Sequence, residues 1–301
     1  MNKKIALLLT SILVSLPFWV GINLLQTKAE NLLSAKNSAS ILNAQINPVR
    51  NGVSNGVNPE TSTSTPESTC LLNNISAESF LVASFDRQSN NKVLFEKNSN
   101  SALPIASITK LMTYLVAKEF YKNEQDVPMN NALMLVESNN DAANTLTKVI
   151  GEEGFLDLMN FKAKELGLSN TYFYNPTGVD PEAINMPQDQ INYSTAYDIA
   201  KLTKNLIFSQ PEFLKIVSQK EYPLYKEGKL ISILKNTNEL IGEIPEVLGG
   251  KTGTTDRAGE CLMVIMKLDG SNPDEYTVGI ILNSKDRFND MRTLYNCVKD
   301  K

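Results

Sequence analysis

The residues of this sequence best suited to chemistry fall into three short motifs. Ser107-Ile108-Thr109-Lys110 reads S-x-x-K, Ser138-Asn139-Asn140 reads S-x-N, and Lys251-Thr252-Gly253 reads K-T-G. The chain contains no histidine, which excludes Ser-His-Asp and Cys-His catalysis and every histidine-ligated metal site. A serine nucleophile here needs a different base, and lysine is the usual substitute. Lys110 stands one helical turn after Ser107 and can take its proton. A free lysine has a pKa near 10.4, and bringing it to about 7 requires roughly 4.6 kcal/mol. Burial and a neighbouring cation both push in that direction, and Lys251 can be the cation. Backbone N–H groups at the helix start favour negative charge developing at Ser107. Ser138 can relay a proton towards a leaving amine, and Asn140 can hold a substrate amide or Lys110. An extended peptide can pair with the edge of the K-T-G strand. Gly253 permits close approach there, and Thr252 and Thr254 offer hydroxyls to a carboxylate.

Each motif alone is more often chance than function. S-x-x-K occurs three times, but Ser89/Lys92 and Ser232/Lys235 lie in or beside predicted strands, where positions i and i+3 face opposite ways. S-x-N occurs twice, and the copy at Ser89 is better explained as a turn; K-T-G occurs once. The ordered set, in fitting local structure, singles out Ser107, Ser138 and Lys251.

The elements that must position these residues follow from periodicity. Ile108, Leu111, Met112, Leu115 and Val116 line one helical face. Helices are also predicted over 131–137, 141–150 and 155–166, with Gly167 as a C-cap. A further helix starts at a capping-box-like Thr195-Ala196-Tyr197-Asp198 and runs to Leu206, and a closing one covers 287–299. Strands are predicted over 79–86, 92–96, 230–235, 249–253, 260–268 and 275–283, with a turn at Asp269-Gly270. Asn175-Pro176-Thr177-Gly178 marks another turn. Strands at both ends with helices between give an α/β (α+β) class: one antiparallel sheet built from both termini and flanked by helices, plus a helical subdomain.

The rest of the chain bounds the setting. It has 301 residues, 42% hydrophobic and 21% charged, with net charge −4. One ordinary domain fits this composition, and the mild acidity argues against nucleic acid as a partner. Lys3 and Lys4 precede an uncharged, almost wholly apolar run from Ile5 to Leu25, which is of membrane-spanning length. Residues 1–27 therefore read as a membrane anchor or signal peptide. An uncleaved anchor is favoured over cleavage near Thr27-Lys28-Ala29, with the remainder on the extracytoplasmic face, or secreted or periplasmic if cleaved. Residues 28–69, rich in Asn, Ser, Thr, Pro and Gly, read as a disordered linker, and 70–301 as the catalytic domain. Cys70, Cys261 and Cys297 form no metal or redox spacing, and no cofactor or metal is expected. An exported protein could join two of them. Cys70 with Cys297 is the favoured pair, because domain ends often lie close together, and three buried thiols is the alternative.

Well beyond the triplets, the stretches LPIASITKLMT, SNNDAAN, KAKELGLSNTYFYNPTGVD, YSTAYDIAKL and GGKTGTTDRAGECLM resemble the low-molecular-mass D-Ala-D-Ala carboxypeptidases, the penicillin-binding serine enzymes of cell-wall metabolism. The resemblance covers about Glu78 to the end. It implies a β-lactamase/transpeptidase-like fold, and acyl transfer through Ser107 on peptidoglycan stem peptides ending in D-Ala-D-Ala. It also implies acylation by β-lactam antibiotics and an oxyanion hole from the backbone N–H groups of Ser107 and Thr254. Arg287, in DRFND, falls where the family often has an arginine near the substrate carboxylate; the alternative is a surface arginine at the last helix. The membrane is a further expected partner, through the N-terminal segment.

Three departures from the family pattern stand out. Ser107 and Ser138 are closer in sequence than usual, which bears on pocket shape and activity. No second β-domain or C-terminal amphipathic anchor follows the last helix, which makes the N-terminal run the expected tether. Asn139 replaces the commoner glycine or aspartate. A β-lactamase would need a water-activating carboxylate in an E-x-x-L-N-like loop. In Pro181-Glu182-Ala183-Ile184-Asn185 the glutamate comes one place late. A binding module without turnover is the remaining rival.

Overall fold

The first and last thirds of the domain must share one sheet, because their apolar runs are too continuous for strands with a solvated face. The computed structural model describes residues 70, 72–88, 90–121 and 127–300. The chain divides into two units, Met1–Ser64 and Thr65–Lys301, and every described residue lies in the second. The expected anchor over 1–27, the linker over 28–69 and the turn residue Ser89 lie outside the described residues.

Strand β1 (Ser79–Phe85) pairs antiparallel with β2 (Asn91–Lys97) and with β9 (Tyr276–Ser284). β9 pairs with β8 (Gly259–Met266), and β8 with β7 (Val247–Thr255), giving the order β2-β1-β9-β8-β7. Strands from the two ends of the domain thus meet at β1 and β9, which is the antiparallel sheet expected. Alternate side chains enter two separate cores. Phe80 and Val82 join Leu262, Val264 and Ile281 beneath the closing helix, whereas Leu81, Ala83 and Phe85 join Met263, Ile265 and Ile280 beneath the other helices.

Helix α1 (Lys110–Phe120) lies in the second of these cores, introduced by a 3-10 turn over Ala106–Thr109. The sequence pattern suggested one apolar face, but every residue from Lys110 to Ala117 is buried. α1 is surrounded because α2 (Val127–Val136), α4 (Glu152–Glu165) and α5 (Ala196–Ser209) all pack on it. α3 (Asn140–Thr147) is capped by Asn139, whose side chain accepts from Ala142 N at 2.8 Å. Aspartate or asparagine can do this, so the departure at this position is a working N-cap. α5 is capped as expected by Thr195, which accepts from Asp198 N at 3.0 Å. α6 (Pro211–Val217) was not foreseen. α7 (Arg287–Lys299) closes the fold and buries Met291, Leu294 and Val298 against the sheet.

Two small sheets complete the domain. β3 (Leu103–Pro104) pairs with β4 (Tyr193–Ser194) beside the nucleophile turn. β5 (Glu221–Lys226) and β6 (Lys229–Lys235) form a hairpin against α2. β5 was not predicted; it contains Pro223, which is tolerated because a two-stranded ribbon leaves every strand an edge. Among the described residues no helix is long and apolar enough to cross a membrane.

Cys70 and Cys297 are joined by a disulfide across 227 positions, and Cys261 is a buried free thiol. Closing so long a loop removes roughly 5 kcal/mol of unfolded-state entropy in the chain-entropy model. The Cys70→Ser, Cys297→Ser variant should therefore unfold at lower denaturant, with a loss of about 3–5 kcal/mol that matches reduction of the wild type. An unchanged midpoint in both would mean that the bridge does not form.

Candidate active site

Ser107 belongs to the 3-10 turn and Lys110 is the first residue of α1, so the two face each other across one turn. Lys110 Nζ lies 2.6 Å from Ser107 Oγ, 2.8 Å from Asn140 Oδ1 and 2.7 Å from the Thr177 carbonyl. The side chain is fully buried and has no carboxylate partner among these contacts. Burial without a counter-charge lowers its pKa to about 7. A neutral amine has two N–H donors and one lone pair. It can donate to Asn140 and Thr177 while its lone pair receives the Ser107 proton. The protonated amine has three donors for the same three oxygens. Both states are satisfied without rearrangement, which suits a group that must gain and lose a proton within one turnover.

A second serine–lysine pair stands opposite. Lys251, on β7, is fully buried and donates to Ser138 Oγ at 2.7 Å and to the Thr252 carbonyl at 2.8 Å. Its pKa is pushed well below the usual lysine value, by burial first and then by the charges of Lys110 and Arg287. The idea that Lys251 is the cation depressing Lys110 needs revision: burial is the cause at Lys110. The two lysines are alike, each dry and each paired with a serine hydroxyl.

The K-T-G strand reaches this cluster because Gly253 lacks a side chain. A Cβ there would lie 2.8 Å from Ser107 N and 3.0 Å from Ala106 Cβ. Thr252 Oγ1 lies 2.6 Å from Thr237 Oγ1, while Thr237 N donates to the Val136 carbonyl, which ties β7 to the end of α2 just before Ser138. Arg287, the first residue of α7, donates through Nη1 to the Gly253 carbonyl and to Thr254 Oγ1, both at 2.7 Å. It braces the K-T-G strand and does not simply cap the helix at the surface.

Sequence reasoning missed the loop that supplies the Thr177 carbonyl. Asn175 Oδ1 accepts from Thr177 N at 3.1 Å and Gly178 N at 2.7 Å, which curls the turn. Asn192 accepts from Tyr174 N and Asn175 N, and donates to the Asn175 carbonyl and to Thr109 Oγ1. This network locks the loop to the nucleophile turn. Gly178 adopts φ +81°, and a Cβ would meet the Ala106 carbonyl oxygen at 1.8 Å, so only glycine fits. The NPTG signal was visible as a turn, but nothing in it showed that a main-chain oxygen would face Lys110. Ala106 and Ser138 both hold positive φ, 46° and 61°. Strain of this kind, just before one serine and at the other itself, is a recurrent mark of functional sites. Glu182, the nearest candidate for a water-activating carboxylate, is instead ion-paired to Arg257.

The D-alanyl-D-alanine carboxypeptidase family profile matches residues 61–131 and 127–272. The chain is 34% identical over 207 residues to the D-alanyl-D-alanine carboxypeptidase DacF of Bacillus subtilis, a match covering 58% of this chain and 51% of that protein. It thus spans about half the length of that relative. A D-alanyl-D-alanine endopeptidase of Haemophilus influenzae is 31% identical over 234 residues, covering 68% of this chain and 74% of the relative. The ampicillin-bound crystal structure of penicillin-binding protein D2 from Listeria monocytogenes superposes with a TM-score of 0.62 at 28% identity, covering 74% of this chain and 97% of that one. With two serine–lysine pairs meeting at a strand edge and a family match across most of its described residues, the chain belongs to the D-alanyl-D-alanine carboxypeptidase family.

Proposed function

We propose that the protein is a serine D-Ala-D-Ala carboxypeptidase that removes the terminal D-alanine from peptidoglycan stem peptides and is acylated by β-lactams. The observation that carries this reading is the buried Lys110 amine, 2.6 Å from Ser107 Oγ with its other two contacts on neutral oxygens. Ser107 Oγ attacks the carbonyl of the penultimate D-alanine as its proton passes to Lys110. The C–N bond breaks, and the proton that Lys110 took passes through Ser138, the hydroxyl shared with Lys251, to the leaving amine, which leaves Lys110 neutral. Water then attacks the ester with Lys110 again as base. The proton returns to Ser107 Oγ, and the shortened peptide leaves. In this reading the backbone N–H groups of Ser107 and Thr254 hold the oxyanion. Thr252, Thr254, Gly253 and Lys251 form the ledge for the substrate backbone and carboxylate, and Arg287 steadies Thr254. The apolar run over residues 5–25 would hold the domain at the extracytoplasmic face of the membrane.

Mass spectrometry after penicillin exposure should place the adduct on the peptide containing Ser107, and purified enzyme should release D-alanine from a D-Ala-D-Ala peptide. Ser107→Ala should lose both while staying folded. An adduct mapping to Ser232 would overturn the assignment. A folded wild type that takes up penicillin but releases no D-alanine would favour a binding module.

The pH profile tests the base. Lys110 is competent when neutral, so the acylation rate should fall tenfold per pH unit below about 7 and level off above it. Lys110→Ala should lose this acidic limb and about 10²–10⁴-fold in rate. Lys251→Met keeps the site dry, and because burial sets the Lys110 value, its acidic limb should remain near pH 7 while the rate falls. A limb that persists in Lys110→Ala would assign the base to another group.

A further inference from the structure

The β5–β6 hairpin presents apolar side chains on the face turned away from the domain. Tyr225, Leu230, Ile231 and Ile233 are each more than half exposed. They do not scatter. Pro223 pairs with Ile233 and Tyr225 with Leu230, so these four stack across the ribbon on one face, and Ile231 fills the irregularity between the pairs. The opposite face is already occupied, since Leu224 and Leu234 are buried and both strands pack on α2. A strand with one buried face ordinarily carries polar residues on the other. An apolar patch of this kind marks a surface that meets something.

The fringe of the patch indicates its occupant. Lys226 and Lys229 flank the tight Glu227-Gly228 turn, whose residues both hold positive φ, and Lys220 and Lys235 flank the base. Glu221 and Glu227 are the only acidic residues between Lys220 and Lys235, so this stretch carries a positive excess in a chain whose net charge is −4. The lysines engaged in ion pairs among the described residues are others: Lys118, Lys162, Lys201 and Lys299. Apolar side chains and a tyrosine fringed by lysines that form none of these ion pairs match the boundary of an anionic bilayer. Leucine and isoleucine enter the acyl region there, tyrosine sits at headgroup level and lysines meet lipid phosphates. The open ribbon edges are tolerable at that depth because water still reaches them.

We propose that the outer face of this hairpin docks on the surface of an anionic phospholipid bilayer. The inference rests on the reading that the N-terminal run tethers the chain to a membrane. The tether supplies proximity, and the hairpin supplies orientation. Thr237, two residues beyond β6, shares its hydroxyl contact with Thr252 of the K-T-G strand. A seated hairpin therefore turns the catalytic ledge towards substrate close to the membrane.

The test uses full-length protein in vesicles, with an environment-sensitive fluorophore on Ile233→Cys. The native cysteines are bridged or buried, so the introduced thiol is the one labelled. In phosphatidylglycerol-containing vesicles the label should shift to the blue and lose emission to nitroxide lipids. Both changes should weaken in phosphatidylcholine alone, and the same label on Lys148→Cys should show neither. Adding Ile231→Lys and Leu230→Lys should abolish them. Flotation after an alkaline wash reports the tether separately. A chain that floats while its label stays aqueous overturns the docking and leaves the tether standing; a chain that does not float overturns the tether, and an aqueous label in that chain overturns the docking as well. Equal quenching at Lys148→Cys also overturns the proposal. So does a blue shift that appears without vesicles and grows with protein concentration, which would assign the face to a second copy.

Discussion

An amine buried beside a serine with no carboxylate to hold its proton is the constraint around which this domain is arranged. Removing an ammonium from water disfavours the charged form, and a nearby acidic side chain would cancel the effect. The contacts at Lys110 are a hydroxyl, an amide oxygen and a main-chain carbonyl, none of them charged. Each comes from a different part of the chain. The nucleophile turn supplies the first, the start of α3 the second and the loop after Phe173 the third. Keeping these three oxygens in place while excluding water is a task for the whole helical half of the molecule. This is why α1, which carries the lysine, is buried on every side from Lys110 to Ala117.

The K-T-G strand obeys the same logic from the other side. Among the described residues β7 is the terminal strand of the sheet, with β8 its one strand neighbour, yet it carries a lysine that is almost completely dry. The dryness is built locally. Thr237 and Ser138 stand in front of the strand, and Arg287 lies against Gly253 and Thr254. One reactive surface is thus assembled from five separate stretches, and the absence of a side chain at Gly253 lets the strand come within contact of Ser107 N.

Much of this was legible in the sequence because the decisive groups are side chains in recognisable triplets. Ser107, Lys110, Ser138, Asn140 and Lys251 are brought together as their spacing suggested, and the strands of the central sheet lie close to where apolar runs, or for the K-T-G strand its context, placed them. What stayed hidden is of another kind. The Thr177 carbonyl belongs to the main chain, and no residue type announces where a carbonyl will point. Asn192 acts through four hydrogen bonds to other loops, a role that depends on tertiary proximity. α6 covers only Pro211–Val217, too short for helical periodicity to register, and β5 contains a proline that its ribbon happens to tolerate. The cause of the Lys110 shift was read as partly electrostatic, because burial depth cannot be counted from a single helix face.

The disulfide has a mechanical consequence. A pull on the segment before Cys70 does not reach β1 first. It meets the sulfur bridge, nine positions earlier, and passes into α7 near its C-terminal end. α7 lies on the face of the sheet opposite α1, anchored by Met291, Leu294 and Val298. Traction is therefore taken up by a broad apolar contact behind the sheet instead of peeling β1 from β9. The nucleophile turn and its lysine sit on the other side, outside the path of the force.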